Sequence, residues 1–479
     1  MVIKPFASMQ NIKLHSAGIT SVDLKTRMPF KYGIATMTSF PLVFLSMDCE
    51  INGHAAKGIS SDLLPPKWFK KDTHQTPNAE LKELRQVIEH ACDICAGIQG
   101  KTIFECWQKL YAEQDAWGKQ QNHPPLLTHF GSSLVERAMI DAFCRHHQTT
   151  FFQALKENAL GICLEGIHPG LNEISIAETL PKAPLRNIIA RHTVGLSDPL
   201  TEPDISADER LTDGLPQSLD TCLNTYGIRH LKIKICGDFD TDRQRLLDIA
   251  LIITQRPPES FGFTLDGNEQ FDEMGQFNDY WNRLTSIRDL KHFMNHLLFV
   301  EQPLKRDVAL NQEVSTALQT WENKPRIIID ESDGTLLSAA EAIRMGYAGT
   351  SHKNCKGVIK SVANRTFIHH LSLKHPSSPC IMSGEDLCNQ GPVAVMQDLC
   401  VTAALGIESV ERNGHHYCAG LSDHPVSIRE QMMQFHSDVY HPSPQGWPTL
   451  HVENGLISTQ SINQSPFGIH FLPKTEDYK

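Results

Sequence analysis

The chain lacks any excess of basic residues. Its 479 residues include 55 Asp plus Glu against 44 Lys plus Arg, a formal net charge of −11. Nucleic acid and anionic membrane surfaces both attract positive charge, so neither is expected as a partner. No apolar run approaches the roughly 18 residues of a spanning helix, and the N-terminal stretch Met1–Ser16 has no apolar core of a secretory signal. Low-complexity tracts, coiled coils and short-period repeats are also missing. So is any regular cysteine spacing: thirteen cysteines are scattered from Cys49 to Cys418. An odd number at irregular intervals points to reduced thiols in a reducing compartment, here the cytoplasm, and not to a disulfide framework.

Cys92 and Cys95 form one CxxC, but no second pair or nearby HxxxH completes a zinc site. Spacing of three puts both on one face of an expected helix, as small buried hydrophobes. His146/His147, His369/His370 and His415/His416 are sequence neighbours, which point in different directions on a helix, so such pairs are not expected to chelate.

What is present is an ordinary soluble balance, 40% apolar and 21% charged, enough for a sizeable core. The length allows two to four domains, or one large barrel with an attachment. Three segments near the N-terminus read as strands: Ile19–Phe30, Pro41–Gly53 and Ala55–Leu64, with Asn52-Gly53 as a turn. Residues 78–158 read as helices, among them Ser132–His147 with apolar residues at helical spacing. Residues 1–150 thus form an α+β unit.

From about residue 188 short apolar strands alternate with helical stretches. Eight strands are expected: Ile188–Leu196, His230–Ile235, Phe261–Asn268, Leu297–Leu304, Arg326–Ser332, Gly349–Cys355, Pro379–Asp386 and Gly406–Gly414. Helical segments such as Asp240–Gln255 and Leu337–Tyr347 lie between them. Alternation of this kind implies parallel strands under covering helices, and eight units in about 250 residues is the size of a TIM-type (β/α)8 barrel. A doubly wound open sheet is the rival, but no GxGxxG follows any strand.

Strand interiors of such a barrel should be apolar, with charge at the C-terminal tips where active sites sit. In Leu231-Lys232-Ile233-Lys234-Ile235 the period of two puts both lysines on one face. Two adjacent buried ammonium groups need carboxylates or a ligand beside them, although lysines on a water-facing edge strand would give the same pattern. Asp266, Glu301 and Asp330 then end three successive strands, each about 30 residues, roughly one βα unit, from the last. Three carboxylates at one rim would repel unless a cation sits among them. An all-oxygen set suits Mg²⁺, with Mn²⁺ as an alternative, better than zinc. Lys353 follows on the next strand, opposite the Lys232/Lys234 strand. A cation flanked by lysines suggests proton transfer at a carbon beside a carboxylate, with the neighbouring lysine and cation lowering a lysine pKa towards neutrality.

In these motifs the chain resembles the enolase superfamily, specifically its muconate-lactonizing-enzyme-like and mandelate-racemase-like members. The matches are Lys232-Ile233-Lys234, Asp266-Gly267-Asn268, Glu301-Gln302-Pro303, Asp330-Glu331-Ser332 and the strand around Lys353, in family order over about residues 185–415. The resemblance implies a (β/α)8 or (β/α)7β barrel over 151–435, an α+β capping domain over 1–150, and a C-terminal segment, 436–479, returning to the cap. It also implies Mg²⁺ on Asp266, Glu301 and Asp330, with Lys234 and Lys353 on opposite sides of a substrate α-carbon. Lys232 would tune Lys234 near the substrate carboxylate.

Alternation turns Glu331 away from Asp330's side. Members without the sixth-strand lysine use a His–Asp pair, whereas the seventh tip here is Ser383-Gly384-Glu385-Asp386. Lys356 stays open as a second candidate to Lys353, its other role being outer packing or loop solvation. Residues 196–218 read as an insertion, a mobile loop or a substrate element. Loops Lys31–Thr36 and Leu63–Phe69 combine aromatics with lysines, as an acidic substrate would require; ordinary loop packing is the alternative. Tyr32, Asn268, Glu385, Asn413 and His415 are candidate substrate contacts, although Glu385 and Asp386 could instead cap the next helix. The expected activity is α-proton abstraction from a small carboxylate through a metal-stabilised enolate, as a racemase or epimerase. Dehydratase or cycloisomerase chemistry, a silent ligand-binding relative and a Schiff-base aldolase are the alternatives. Family analogy implies a homo-oligomer.

Overall fold

Asn52 and Gly53 both take positive φ, 53° and 81°, the left-handed pair that a tight hairpin requires. This turn joins β2 (Ala35–Ile51) to β3 (His54–Leu63), and β2 pairs on its other edge with β1 (Ile12–Tyr32). A short β4 (Gln99–Gly100) completes an antiparallel sheet in the order β3-β2-β1-β4. The computed structural model describes residues 10–478 except 33, 172, 173, 256, 257 and 259. Residues 1–9 of the N-terminal stretch and Gly33 of the Lys31–Thr36 loop therefore lie outside the described residues.

Helices α1 (Pro77–Cys95), α2 (Ile103–Gln120) and α3 (Pro125–His146) pack on this sheet and on one another. The hydroxyls of Thr76 and Thr102 cap α1 and α2, accepting from the N–H groups of Ala79 and Glu105 at 3.3 and 3.1 Å. Cys92 and Cys95 are both buried on α1, and all thirteen cysteines are free thiols. A β-carbon at Gly58 would lie 2.0 Å from the Ala138 carbonyl oxygen, so only glycine lets β3 approach α3 this closely. The interior of α3 is buried all round, because the sheet covers one side and the barrel the other. Its polar groups are accordingly paired. Arg137 meets Asp62 at 2.9 Å, and Glu136 accepts from the Trp107 indole at 3.0 Å and from the Ile359 amide at 2.5 Å.

All eight barrel strands form: β5 (Asn187–Val194), β6 (His230–Lys234), β7 (Gly262–Asp266), β8 (Leu297–Glu301), β9 (Ile327–Ile329), β10 (Gly349–His352), β11 (Ile381–Gly384) and β12 (Ser409–Arg412). Each pairs in parallel with the next, and β12 pairs with β5, so the barrel is closed. After it come a small hairpin, β13 (Tyr440–Pro442) and β14 (Pro448–Leu450), and then β15 (Leu456–Ser458), which lies antiparallel on β5. The last segment reaches the cap: Arg145 donates to the carbonyls of Ile469 and His470 at 2.9 Å each, and the rings of Phe44 and Tyr478 are 5.1 Å apart. No helix among the described residues is long and apolar enough to cross a membrane.

Residues 196–218 are a tied-down segment and not a free loop. Arg27 of β1 grips Asp213 at 2.7 and 2.9 Å and donates to the carbonyls of Leu215, Pro216 and His416. Its turn residues serve hydrogen bonds: Glu202 accepts from both Arg210 and Ser218.

Candidate active site

Alternation along the barrel strands points Arg191, Thr193, Lys232, Lys234, Asp266, Glu301 and Glu411 to the inside, and Lys353, one residue past β10, joins them. The barrel interior is therefore charged below its rim as well as at the tips. The buried Lys232 ammonium sits among four carboxylates: Asp266 at 3.0 Å, Glu301 at 2.7 Å, Glu385 at 2.7 Å and Glu411 at 2.9 Å. Lys234 meets Asp266 at 2.6 Å. Across the barrel, Lys353 meets Asp330 at 2.5 Å, and Lys356 meets it at 2.8 Å. The ammonium of Lys353 also lies 4.5 Å from the centre of the Trp68 ring, close enough for a cation–π contact.

Lys356 corrects the expectation that it packs outward or is solvated. Alternation stops at His352, and a 3₁₀ turn over Asn354–Lys356 swings Lys356 back under Asp330. There it also donates to Ser351 Oγ at 2.7 Å. Lys353 and not Lys356 lines the central cavity. Glu331 departs from expectation for a similar reason: β9 ends at Ile329, so alternation does not set its direction. It is buried beside Asn268, 3.4 Å from its side-chain amide, and burial followed by the Asp330 charge pushes its carboxyl up to about 7.

Charge follows the pairing. Burial alone would raise the carboxyl of Asp330, but Lys353 and Lys356 hold it well below the ordinary range. Asp266 is likewise held low, against its burial, by Lys232 and Lys234. Glu301 behaves oppositely. Burial, then the charges of Asp266 and Glu385, push it well up, and its one partner is the Lys232 ammonium. Burial would lower Lys232 and Lys353, yet the surrounding carboxylates outweigh it and hold both above the ordinary value.

The expected metal acids sit at adjacent tips, with Asp266 in register with Glu301. The Lys232 ammonium bridges two of them, 3.0 Å from Asp266 and 2.7 Å from Glu301. The donor set is oxygen only, and Glu301 has no partner besides the Lys232 ammonium, so the residues fit a hard divalent cation.

The cavity over these groups is walled by the barrel and the cap together. Lys234, Lys353, Asn268, Glu411 and Asn413 meet Tyr32, Trp68 and Phe30 there. Arg306 fixes the cap loop, donating to the Trp68 and Phe69 carbonyls at 2.8 Å each while paired with Glu269. Tyr32 donates its hydroxyl to the Pro66 carbonyl at 2.8 Å. Lys67 serves its own loop through the Asp72 and Gln75 carbonyls at 2.7 and 2.8 Å.

Glu385 and His415 do not line the cavity. Glu385 neither caps a helix nor reaches the opening; it is buried between Lys232 and Arg191, the latter in a very short contact. His415 is buried against His192, 3.2 Å away. Glu411 escaped the sequence reading. It accepts from Thr193 at 2.8 Å and from Lys232, and the alternation of Val410-Glu411-Arg412-Asn413 was the available signal.

No family model and no curated protein matches the sequence. Solved structures do match. An enolase from Bradyrhizobium complexed with magnesium and mandelic acid is 15% identical, with 94% of each chain covered and a TM-score of 0.57. A dipeptide epimerase from Enterococcus faecalis complexed with magnesium and L-Leu-L-Tyr is 14% identical, covering 93% of this chain and 99% of that one, at a TM-score of 0.57. A muconate lactonizing enzyme from Pseudomonas fluorescens complexed with muconolactone is 16% identical, covering 83% and 87%, at 0.54. The chain has the fold of these enolase-superfamily enzymes, a closed parallel barrel beneath an antiparallel-sheet cap.

Proposed function

We propose that the protein is an enolase-superfamily enzyme that uses Mg²⁺ to abstract the α-proton of a small carboxylate substrate and return it on the other face, as a racemase or epimerase. The observation that carries this reading is the placement of Lys234 and Lys353. They come from the second and sixth of eight strands, on opposite sides of the barrel, and both line one cavity.

Asp266, Glu301 and Asp330 would hold the ion, which supplies positive charge to offset the enolate that develops on the substrate. The ion-pair network supports this balance. With Glu301 ionised, as a metal ligand would be, Lys232, Lys234, Lys353, Lys356 and Arg191 balance Asp266, Glu301, Asp330, Glu385 and Glu411, so the network itself is neutral. A divalent ion then leaves charge for a dianionic intermediate. Asp330 now holds Lys353 protonated; engaging Asp330 elsewhere frees that lysine to exchange a proton. Lys234 takes the hydrogen from one face, Lys353 serves the other, and Trp68 keeps water from Lys353. The same reading places the enzyme in the cytoplasm as a homo-oligomer, which light scattering of the purified chain would test.

The deciding experiment incubates the chain with Mg²⁺ in D₂O and a panel of amino-acid derivatives, hydroxy acids and sugar acids. Loss of the α-hydrogen NMR signal with inversion of configuration is expected. Exchange accompanied by water loss or ring formation would transfer the site to lyase chemistry, and no exchange across the panel would overturn the reading.

A further inference from the structure

Outside the barrel mouth, one further group of ligating side chains converges among the described residues. His192, Cys222 and His416 each offer an atom, and these atoms lie within 4.8 Å of one another. The inward direction of Arg191 and Thr193 sends His192 outward through the barrel wall. There it meets Cys222, on the buried face of the helix Leu219–Tyr226, and His416, in the turn Gly414–Tyr417 that follows the last barrel strand. All three are almost fully enclosed, at 1%, 0% and 2% exposure.

Zn–S of about 2.3 Å and Zn–N of about 2.0–2.1 Å set tetrahedral edges of roughly 3.6 Å between sulfur and nitrogen and roughly 3.3 Å between nitrogens. Cys222 Sγ lies 3.6 Å from His416 Nδ1, and His192 Nδ1 lies 3.2 Å from His415 Nε2. The other nitrogen of His416 faces a carboxylate: Nε2 is 4.0 Å from Asp198 Oδ2. Asp198 is itself held by the Gly195 amide at 2.7 Å and by the Tyr417 hydroxyl. At that distance the carboxylate acts on His416 by its charge and not by a hydrogen bond, and it favours the Nε2–H tautomer that leaves Nδ1 free to ligate.

We propose that His192, Cys222 and His416 form a site for Zn²⁺ or a similar thiolate-seeking divalent ion, with His415 or a water as fourth ligand. The Cys222 thiol loses its proton to solvent as the metal–sulfur bond forms, and no oxidation is involved. Thiolate and imidazole select such an ion over Mg²⁺, which separates this site from the oxygen-only acids at the barrel mouth. Its role is structural. It ties β5, the helix after the 196–218 segment and the turn behind Asn413 into one unit. That unit includes Tyr417, whose ring stacks on Phe30 of the cap with centroids 4.0 Å apart. The inference does not depend on the reaction proposed above.

The test uses the full-length chain, stripped with chelator and titrated with Co²⁺. One equivalent should give a near-ultraviolet thiolate-to-cobalt charge-transfer band and intense tetrahedral visible bands, both displaced by Zn²⁺. Glu301→Gln, which alters only the oxygen acids, should retain these bands, and Cys222→Ser should lose them. Zinc-edge X-ray absorption on the Zn²⁺-loaded wild-type chain should find one sulfur and two or three nitrogens, a readout that stands even if Cys222→Ser does not fold. Weak octahedral bands without charge transfer, or a zinc shell without sulfur, would overturn the proposal and leave a hydrogen-bonded cluster only. Loss of the charge-transfer band in Glu301→Gln would overturn it equally.

Discussion

The two halves of the barrel mouth handle buried charge in opposite ways. On the β11–β12–β5 side every acid has fitted partners. Glu385 takes Arg191, Asp386 accepts from Arg412 at 3.1 Å and from the Asn389 amide at 2.8 Å, and Asp398 meets Arg412 in a very short ion pair. Glu411 adds Thr193 and the Asp386 amide. On the β7–β9 side the acids lean on lysine ammonium groups: Asp266 adds only the Asn268 amide, Asp330 only the Ser351 hydroxyl, and Glu301 has no partner but Lys232. Guanidinium, hydroxyl and backbone donors hold the acids of the first half in place, which makes it a scaffold. The second half is left short of fixed donors, which is where an exchangeable cation and a substrate have something to gain.

The largest expected effect tests the lysines within that contrast. Lys234→Ala and Lys353→Ala should each lower α-hydrogen exchange by about 10²–10⁴-fold, the usual contribution of a positioned acid or base, measured by NMR with each enantiomer of an active substrate. Equal activity in either variant would remove that residue from the chemistry. Next comes the scaffold half. Asp398→Ala removes one partner of a fully buried pair and should cost about 3–5 kcal/mol in urea unfolding; a loss under about 1 kcal/mol would mean the two halves do not differ as described.

A third effect lies at the cap, where burial pushes Glu136 up to about 7 from an ordinary 4.5. A carboxyl raised on folding contributes stability that is complete below pH ~4.5 and lost as pH rises through ~7. The wild type should therefore lose about 3 kcal/mol relative to Glu136→Gln across that window, followed by unfolding at several pH values. Parallel profiles would show that the group is not held neutral. The smallest effect is on the exchangeable half. Metal-free Glu301→Gln should be as stable as the wild type or more stable by about 1–3 kcal/mol, because burial disfavours the ionised carboxyl there and Lys232 keeps three other acids. The same variant should lose the melting-temperature increase that Mg²⁺ gives the wild type. A large destabilisation would place Glu301 in the scaffold.

Much of this was legible from residue order, and the failures have local causes. Lys234, Asp266 and Glu301 could be placed because each lies on a regular strand with a period of two. Lys356 and Glu331 could not, because each lies just past the end of its strand, where a turn and not alternation sets direction. Glu411 and Arg191 go unread in the sequence because a barrel interior is expected to be apolar. His192 and Cys222 are separated in sequence from His416 by the whole barrel, and no local pattern announces contacts of that span.

Composition, strand–helix alternation and three acids one βα unit apart determined that this chain forms a capped parallel barrel with carboxylates at one rim, since these follow from periodicities of a few residues. Tertiary structure alone decided that Lys232 stands between Asp266 and Glu301, that Trp68 from the cap covers Lys353, and that two imidazoles meet a thiol behind the wall. Those outcomes depend on closure of the barrel and docking of the cap, which bring together side chains whose separation along the chain carries no record of their distance in space.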